Sequence, residues 1–184
     1  MERFVTFLRG INVGGKNKVS MTILKKAFED KGFSNVVTYI NSGNVIFSSD
    51  ILDIKKLIKI IEEAILSTFK LDISVVVLTV EELFYTYKNA PKWWNNDNKD
   101  IKDNALFIIP PAKSEDILKD FGEIKPEFEK VTYYKNTIFW SYDFMNHSKT
   151  RWSRIVGTQP YKLVTIRNAN TVRKILELEN RIDK

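Results

Sequence analysis

Between Arg9 and Ser20 the chain reads Arg-Gly-Ile-Asn-Val-Gly-Gly-Lys-Asn-Lys-Val-Ser, with three glycines, three cations and two side-chain amides in twelve residues. An apolar run (Phe4, Val5, Phe7, Leu8) precedes this stretch, and an amphipathic segment opens at Met21. Backbone N–H groups at a helix entrance are unsatisfied and carry the positive end of the helix dipole. Glycines that let an anion approach them therefore make a phosphate or carboxylate site. On this reading Gly14 and Gly15 supply the cradle, Arg9, Lys16 and Lys18 the charge, and Asn12 a further polar group. Gly10, four residues, then Gly15-Lys16 satisfy most of the G-x-x-x-x-G-K-[ST] phosphate loop, but Asn17 stands where a hydroxyl must hold magnesium. The strands that follow read as a tight antiparallel hairpin, whereas nucleotide hydrolases of this type use a parallel sheet. The pattern leaves an anion cradle of another kind, or a glycine-rich connection that carries no ligand.

Other stretches have polar chemistry with a structural explanation beside it. Asn41-Ser42-Gly43-Asn44 is what a tight hairpin with a positive-φ glycine requires, and its amides and hydroxyl could also face a ligand. His147-Ser148-Lys149-Thr150-Arg151-Trp152-Ser153-Arg154 reads as a Ser-capped helix whose first turns hold Lys149, Arg151 and Arg154. Cations there oppose the dipole unless an anion sits nearby, although Lys and Arg are good helix formers. Asn170 or Thr171 reads as the cap of a final helix, leaving Arg167 as a residue that capping does not explain. Trp93 and Trp94 could stack on a base, or fill the seam between two halves. One histidine and no cysteine argue against a metal site, and no motif supports a Ser-His-Asp triad or a cofactor.

These residues need a scaffold, and hydrophobic period supplies one. It predicts a strand over 3–9, a helix from Met21 to about Lys31, strands over 35–40 and 44–48, a helix over 51–69 and a strand over 72–79. Ile51, Ile54, Ile58, Ile61 and Ile65 form the apolar stripe of the long helix. Thr79-Val80-Glu81-Glu82 is a capping box opening a helix toward Lys88. Polar, aperiodic residues 89–103 make a junction. A strand over 104–109, a helix over 114–121, strands over 128–134 and 137–143, a helix over 148–156, a strand over 162–166 and a closing helix from Thr171 then repeat the order. The reading is α+β: two ferredoxin-like β-α-β-β-α-β halves with antiparallel sheets, residues 1–88 and 104–184, plus a C-terminal helix. In such a plait the first two strands run parallel, so the loop after the first and the hairpin after the second emerge at one end of the sheet.

With 184 residues and 43% hydrophobic content the chain is long enough for one domain or two small ones. No apolar run approaches the roughly 20 residues that span a bilayer, and no secretory signal opens the chain, so a cytoplasmic setting is expected. The net charge of +6 is unevenly spread. Residues 1–50 carry seven Lys/Arg against four Asp/Glu and residues 151–184 carry eight against three, while the middle is slightly acidic. The basic ends would attract a nucleic-acid backbone or another anion, or form a solvated face.

Phe7 to Asn17, Thr38 to Phe47 (Thr-Tyr-Ile-Asn-Ser-Gly-Asn-Val-Ile-Phe) and Thr165 to Lys174 (Thr-Ile-Arg-Asn-Ala-Asn-Thr-Val-Arg-Lys) resemble the bacterial domain-of-unknown-function 1697 family. The resemblance implies an α+β, ferredoxin-related, cytosolic bacterial protein. It implies no established activity, so no catalytic residue carries over. Three functional expectations stand: binding of a phosphate-bearing ligand or nucleic acid at the glycine-rich loop, with Arg151 and Arg167 as secondary participants; a transferase or hydrolase acting on a phosphorylated small molecule; and a protein-interaction module.

Overall fold

Along β1 (Glu2–Leu8) the side chains alternate between the two faces of a strand, yet Phe4, Val5, Thr6, Phe7 and Leu8 are all buried, which marks β1 as a central strand. The computed structural model describes residues 1–155 and 157–182. They fall into two compact units, Met1–Leu83 and Phe84–Lys184.

In the first unit the order is β1, α1 (Met21–Glu29), β2 (Ser34–Tyr39), β3 (Asn44–Ser49), α2 (Ile54–Phe69) and β4 (Val75–Thr79); α3 (Val80–Lys88) continues directly from β4, and the boundary between the units falls within it. The sheet order is β2-β3-β1-β4 and every pairing is antiparallel, for example Phe4 opposite Phe47 and Leu8 opposite Val75. Leu24 and Phe28 of α1 and Leu57, Ile61 and Ile65 of α2 bury the face that carries Phe4, Leu8, Phe47 and Val77. Phe47 is the hub, with ring centroids of Phe4, Phe28 and Phe33 at 5.6, 5.4 and 4.6 Å. The long helix starts three residues later than its isoleucine stripe suggests. Asp53 caps it, accepting from the N–H groups of Lys55 and Lys56. The capping box of α3 is reciprocal: Glu82 N donates to Thr79 Oγ1 at 3.0 Å and Thr79 N to Glu82 Oε2 at 2.9 Å.

The second unit runs β5 (Ile101–Ile108), α4 (Ser114–Phe121), β6 (Glu129–Tyr134), β7 (Thr137–Asp143), β8 (Val164–Asn168) and α5 (Ala169–Leu178). Its sheet order, β6-β7-β5-β8, repeats the first, again antiparallel throughout. Among the described residues no helix is long and apolar enough to cross a membrane.

Two sequence expectations change here. The helix over 148–156 is replaced by 3₁₀ turns at Phe144–Lys149 and Trp152–Ile155, with a third at Pro160–Leu163; Val156 lies outside the described residues. The cause is Glu129, 3% exposed. Its Oε1 accepts from Arg151 N at 2.7 Å and Lys125 N at 3.1 Å, and its Oε2 from Trp140 Nε1 at 3.0 Å and Trp152 N at 3.2 Å. The Trp152 N–H is the one that an α-helix from Ser148 would send to the carbonyl four residues back. Thr150 competes as well, donating its hydroxyl to His147 O and accepting from Ser153 N. The final helix, in turn, begins at Ala169 rather than Thr171, because Asn168 and not Asn170 or Thr171 is the cap, accepting from Thr171 N at 2.8 Å.

Replacing Glu129 by Ala strands four buried or half-buried donors, so Glu129→Ala loses about 3 kcal/mol or more of unfolding free energy, with Glu129→Gln in between. Urea unfolding followed by tryptophan fluorescence measures it. An unchanged midpoint for Glu129→Ala means that this carboxylate does not hold the crossover.

Candidate functional site

The glycine-rich loop is a miniature hairpin. Val13 and Lys16 form an isolated antiparallel bridge, Lys16 N donates to Val13 O at 3.0 Å, and Asn12 N donates to Asn17 O at 3.1 Å. Gly14 (φ 56°) and Gly15 (φ 76°) are the corners, and positive φ at both central residues is the type I′ requirement. Asn17, where a phosphate loop has its hydroxyl, donates its amide to Gly10 O at 3.0 Å and tightens the base. Protein acceptors take the backbone N–H groups of Asn12, Lys16 and Val19. The Gly14 and Gly15 N–H groups meet no protein acceptor among the described residues and lie at the exposed tip.

Asn12 latches this hairpin to its surroundings. From a left-handed backbone (φ 55°) its Nδ2 donates to Val19 O and Asn41 O, each at 2.9 Å, and its Oδ1 accepts from Val19 N at 2.9 Å. The loop after β1 and the turn after β2 thus meet at one end of the sheet. Gly43 brings them into contact: its carbonyl accepts from Leu8 N at 2.8 Å, and a Cβ added there would stand 2.7 Å from Ile11 Cδ1 and 2.8 Å from Leu8 Cβ. Asn44 is fully buried and donates to Tyr39 O and Ser42 Oγ, so its amide serves the turn.

Between these turns and the start of α1 lies a concavity of about 550 Å³, whose walls include Asn12, Gly15, Lys18, Asn41 and Ser20. The first turn of α1 holds no acidic residue, and Ser20 Oγ accepts from Ile23 N at 3.5 Å, a long capping bond. Lys16 and Lys18 are exposed, whereas Arg9 is half-buried with its N–H on Ser74 O at 3.0 Å.

The remaining sequence candidates belong to the second unit, and protein groups engage them. Arg151 Nε donates to Phe121 O at 2.8 Å, and Lys149 Nζ lies 5.3 Å from the Phe128 ring centroid. With no α-helix at Ser148, the argument that these cations oppose a helix dipole lapses. Arg167 is 6% exposed and donates to Thr165 Oγ1 at 2.9 Å and Ile166 O at 2.8 Å. Burial lowers its pKa to about 10, which still leaves it cationic at neutral pH. Trp94 is buried, edge-on to Phe139 at 5.0 Å, with its indole N–H on Asn104 O.

Sequence reading did not anticipate a second hollow, a cleft of about 680 Å³ wholly within the second unit. Residues 95–104 form one wall, Tyr142 and Phe144 another, and Asn168, Asn170 and Arg173 at the start of α5 a third. Burial raises the Tyr142 pKa above its ordinary value, and a hydrogen bond with Asn104 opposes the rise, so the phenol keeps its proton at neutral pH. Asparagines scattered through a polar junction have no spacing that marks a site, which is why no motif pointed here.

Two four-stranded antiparallel sheets, each with the same strand order, define an α+β protein with helices between strands and a helix at the C-terminal end. The family model described as "Protein of unknown function (DUF1697)" matches residues 1–139, and the chain belongs to that family. Among solved structures it is similar to a conserved bacterial protein, SP0830, from Streptococcus pneumoniae. That protein is 30% identical with a TM-score of 0.84, the match covering 96% of this chain and 98% of the other. None of the curated proteins matches the chain.

Gly43→Ala combines a positive φ with a clash against Ile11 and Leu8, and is expected to cost about 2–4 kcal/mol, against about 1 kcal/mol for Gly14→Ala, where a Cβ meets nothing within 4 Å. Thermal denaturation of the two variants compares them; equal losses would remove the close approach at Gly43 as a constraint.

Proposed function

We propose that the protein binds a phosphate-bearing ligand, a nucleotide or a nucleic-acid backbone, in the concavity between the glycine hairpin and the start of α1. The observation that carries this reading is the set of N–H donors at that place: the Gly14 and Gly15 amides are open, and Gly15 lines the hollow together with a helix start that lacks any acidic residue in its first turn. Lys18 lines the hollow, and Lys16 and Arg9 add positive charge on the same loop. Asn12 and Gly43 set the shape, and Asn41 faces the hollow from the neighbouring turn. The setting proposed is the cytoplasm, in keeping with a chain that has no cysteine.

Catalysis on a phosphorylated small molecule would need a general base at this end of α1. The acidic residues of that helix stand at its far end, where Glu29 and Asp30 are paired with Lys25 and Lys26. Binding is therefore preferred to transfer or hydrolysis.

A thermal-shift screen of nucleotides and phosphorylated metabolites, run on the wild type, Lys16→Ala and Lys18→Ala, tests the proposal. A stabilising ligand should raise the wild-type midpoint by several degrees and lose half or more of that effect in Lys18→Ala. A steep loss of binding with salt would assign the site to nucleic acid. Equal stabilisation of all three proteins would take the loop out of the account.

A further inference from the structure

The cleft of the second unit has an uneven distribution of donors and acceptors. Each of its two carboxylates accepts from protein donors. Asp97 Oδ1 receives Arg173 Nη1 at 3.0 Å, and Asp103 receives Ser141 Oγ on one oxygen and Asn95 N, at 2.9 Å, on the other. The side-chain oxygens of three asparagines are used as well. Asn98 Oδ1 accepts from Asp100 N at 2.9 Å, Asn168 Oδ1 from Thr171 N at 2.8 Å, and Asn170 Oδ1 from Arg173 Nη2 at 3.3 Å. Two of these donors are backbone N–H groups, which fix the amides with oxygen inward. The NH₂ groups of Asn98, Asn168 and Asn170 are left without a protein acceptor among the described residues. Lys99 and Lys102 stand on the same walls, so the lining carries three cations against two carboxylates, each of which already accepts from a protein donor.

A lining in which cations outnumber carboxylates, with three side-chain NH₂ groups open, favours a ligand rich in acceptor oxygens. Its size, about 680 Å³, lies within the range of small-molecule sites and exceeds what one inorganic anion fills. Tyr142 and Phe144 give it an aromatic wall, with Lys102 Nζ held 5.3 Å from the Phe144 ring centroid and Phe144 59% exposed. A ring or sugar body fits against such a wall, with a charged group directed to the lysines and amides.

We propose that this cleft is a second binding site, for the phosphomonoester of a nucleoside or sugar, formed by Asn98, Asn168, Asn170, Lys102, Tyr142 and Phe144. It stands independently of the glycine hairpin and uses none of its residues.

The test is a titration of the full-length ¹⁵N-labelled protein with adenosine 5′-monophosphate, uridine 5′-monophosphate and glucose 6-phosphate, with inorganic phosphate as the control. Asn170→Asp is the informative variant. It is isosteric, keeps an acceptor for Arg173 and adds a negative charge in the first turn of α5, where helices favour one, so folding is retained while an anion is repelled. At least one phosphomonoester should saturate the side-chain amide signals of Asn98, Asn168 and Asn170, more tightly than inorganic phosphate. The dissociation constant read from those side-chain signals should rise tenfold or more in Asn170→Asp and in Lys102→Glu, and that reading should stay unchanged in Lys18→Ala, which acts only at the hairpin. Failure of all three phosphomonoesters to saturate these signals would overturn the proposal, as would equal affinity in the wild type and Asn170→Asp. Loss of binding in Lys18→Ala alone would assign the ligand to the hairpin and refute the second site.

Discussion

A single asparagine side chain ties together the end of the first sheet on which the proposed site depends. Antiparallel pairing of β1 with β3 and of β3 with β2 sends the chain out of β1 and out of β2 at the same edge, but pairing alone leaves two independent turns there. Asn12 joins them, spending both amide donors and its oxygen on Val19 and Asn41. Gly43 permits the approach because nothing larger fits against Ile11 and Leu8. The consequence for function is a division of labour. Asn12, Asn17, Gly43 and Asn44 hold the shape, and the groups still open to a ligand are the Gly14 and Gly15 amides and the lysines.

The second unit repeats the strand order with a different solution for one connection. Where the first unit spans β3 to β4 with a capped sixteen-residue helix, the second spans β7 to β8 with 3₁₀ turns gathered around a buried carboxylate. Glu129 is satisfied by four N–H donors rather than by a cation among the described residues. Such a group is stable only while all its donors remain in place, so the crossover is pinned by geometry where the first unit relies on an apolar helical face. That arrangement keeps β8 in register beside β5 and sets the start of α5, which forms one wall of the larger cleft.

Much of this was legible in the chain. Fully buried strands announce themselves as apolar runs, and the isoleucine stripe of α2, the Thr79–Glu82 capping box and the Asn-Ser-Gly-Asn turn are local signals whose physics acts within a few residues. The failures share one cause. Ser148 to Val156 has helical composition, yet a glutamate some twenty residues earlier takes the N–H groups that a helix needs. Asn168 outcompetes Asn170 and Thr171 as cap because β8 runs to it. Arg167 reads as a free cation but faces inward, where hydrogen bonds to Thr165 and Ile166 hold it.

By itself, then, the amino-acid order determined the α+β class, the repeated strand order and the Asn41–Asn44 turn with its positive-φ Gly43, because each is decided by hydrophobic period or by backbone sterics within a short window. Tertiary structure decided which polar groups are spent and which stay open: that Asn12 is a latch, that Gly14 and Gly15 form an exposed tip, and that scattered asparagines of the junction and α5 line one cleft. Hydrogen-bond partners distant in sequence settle those questions, and no local pattern of residue types encodes them.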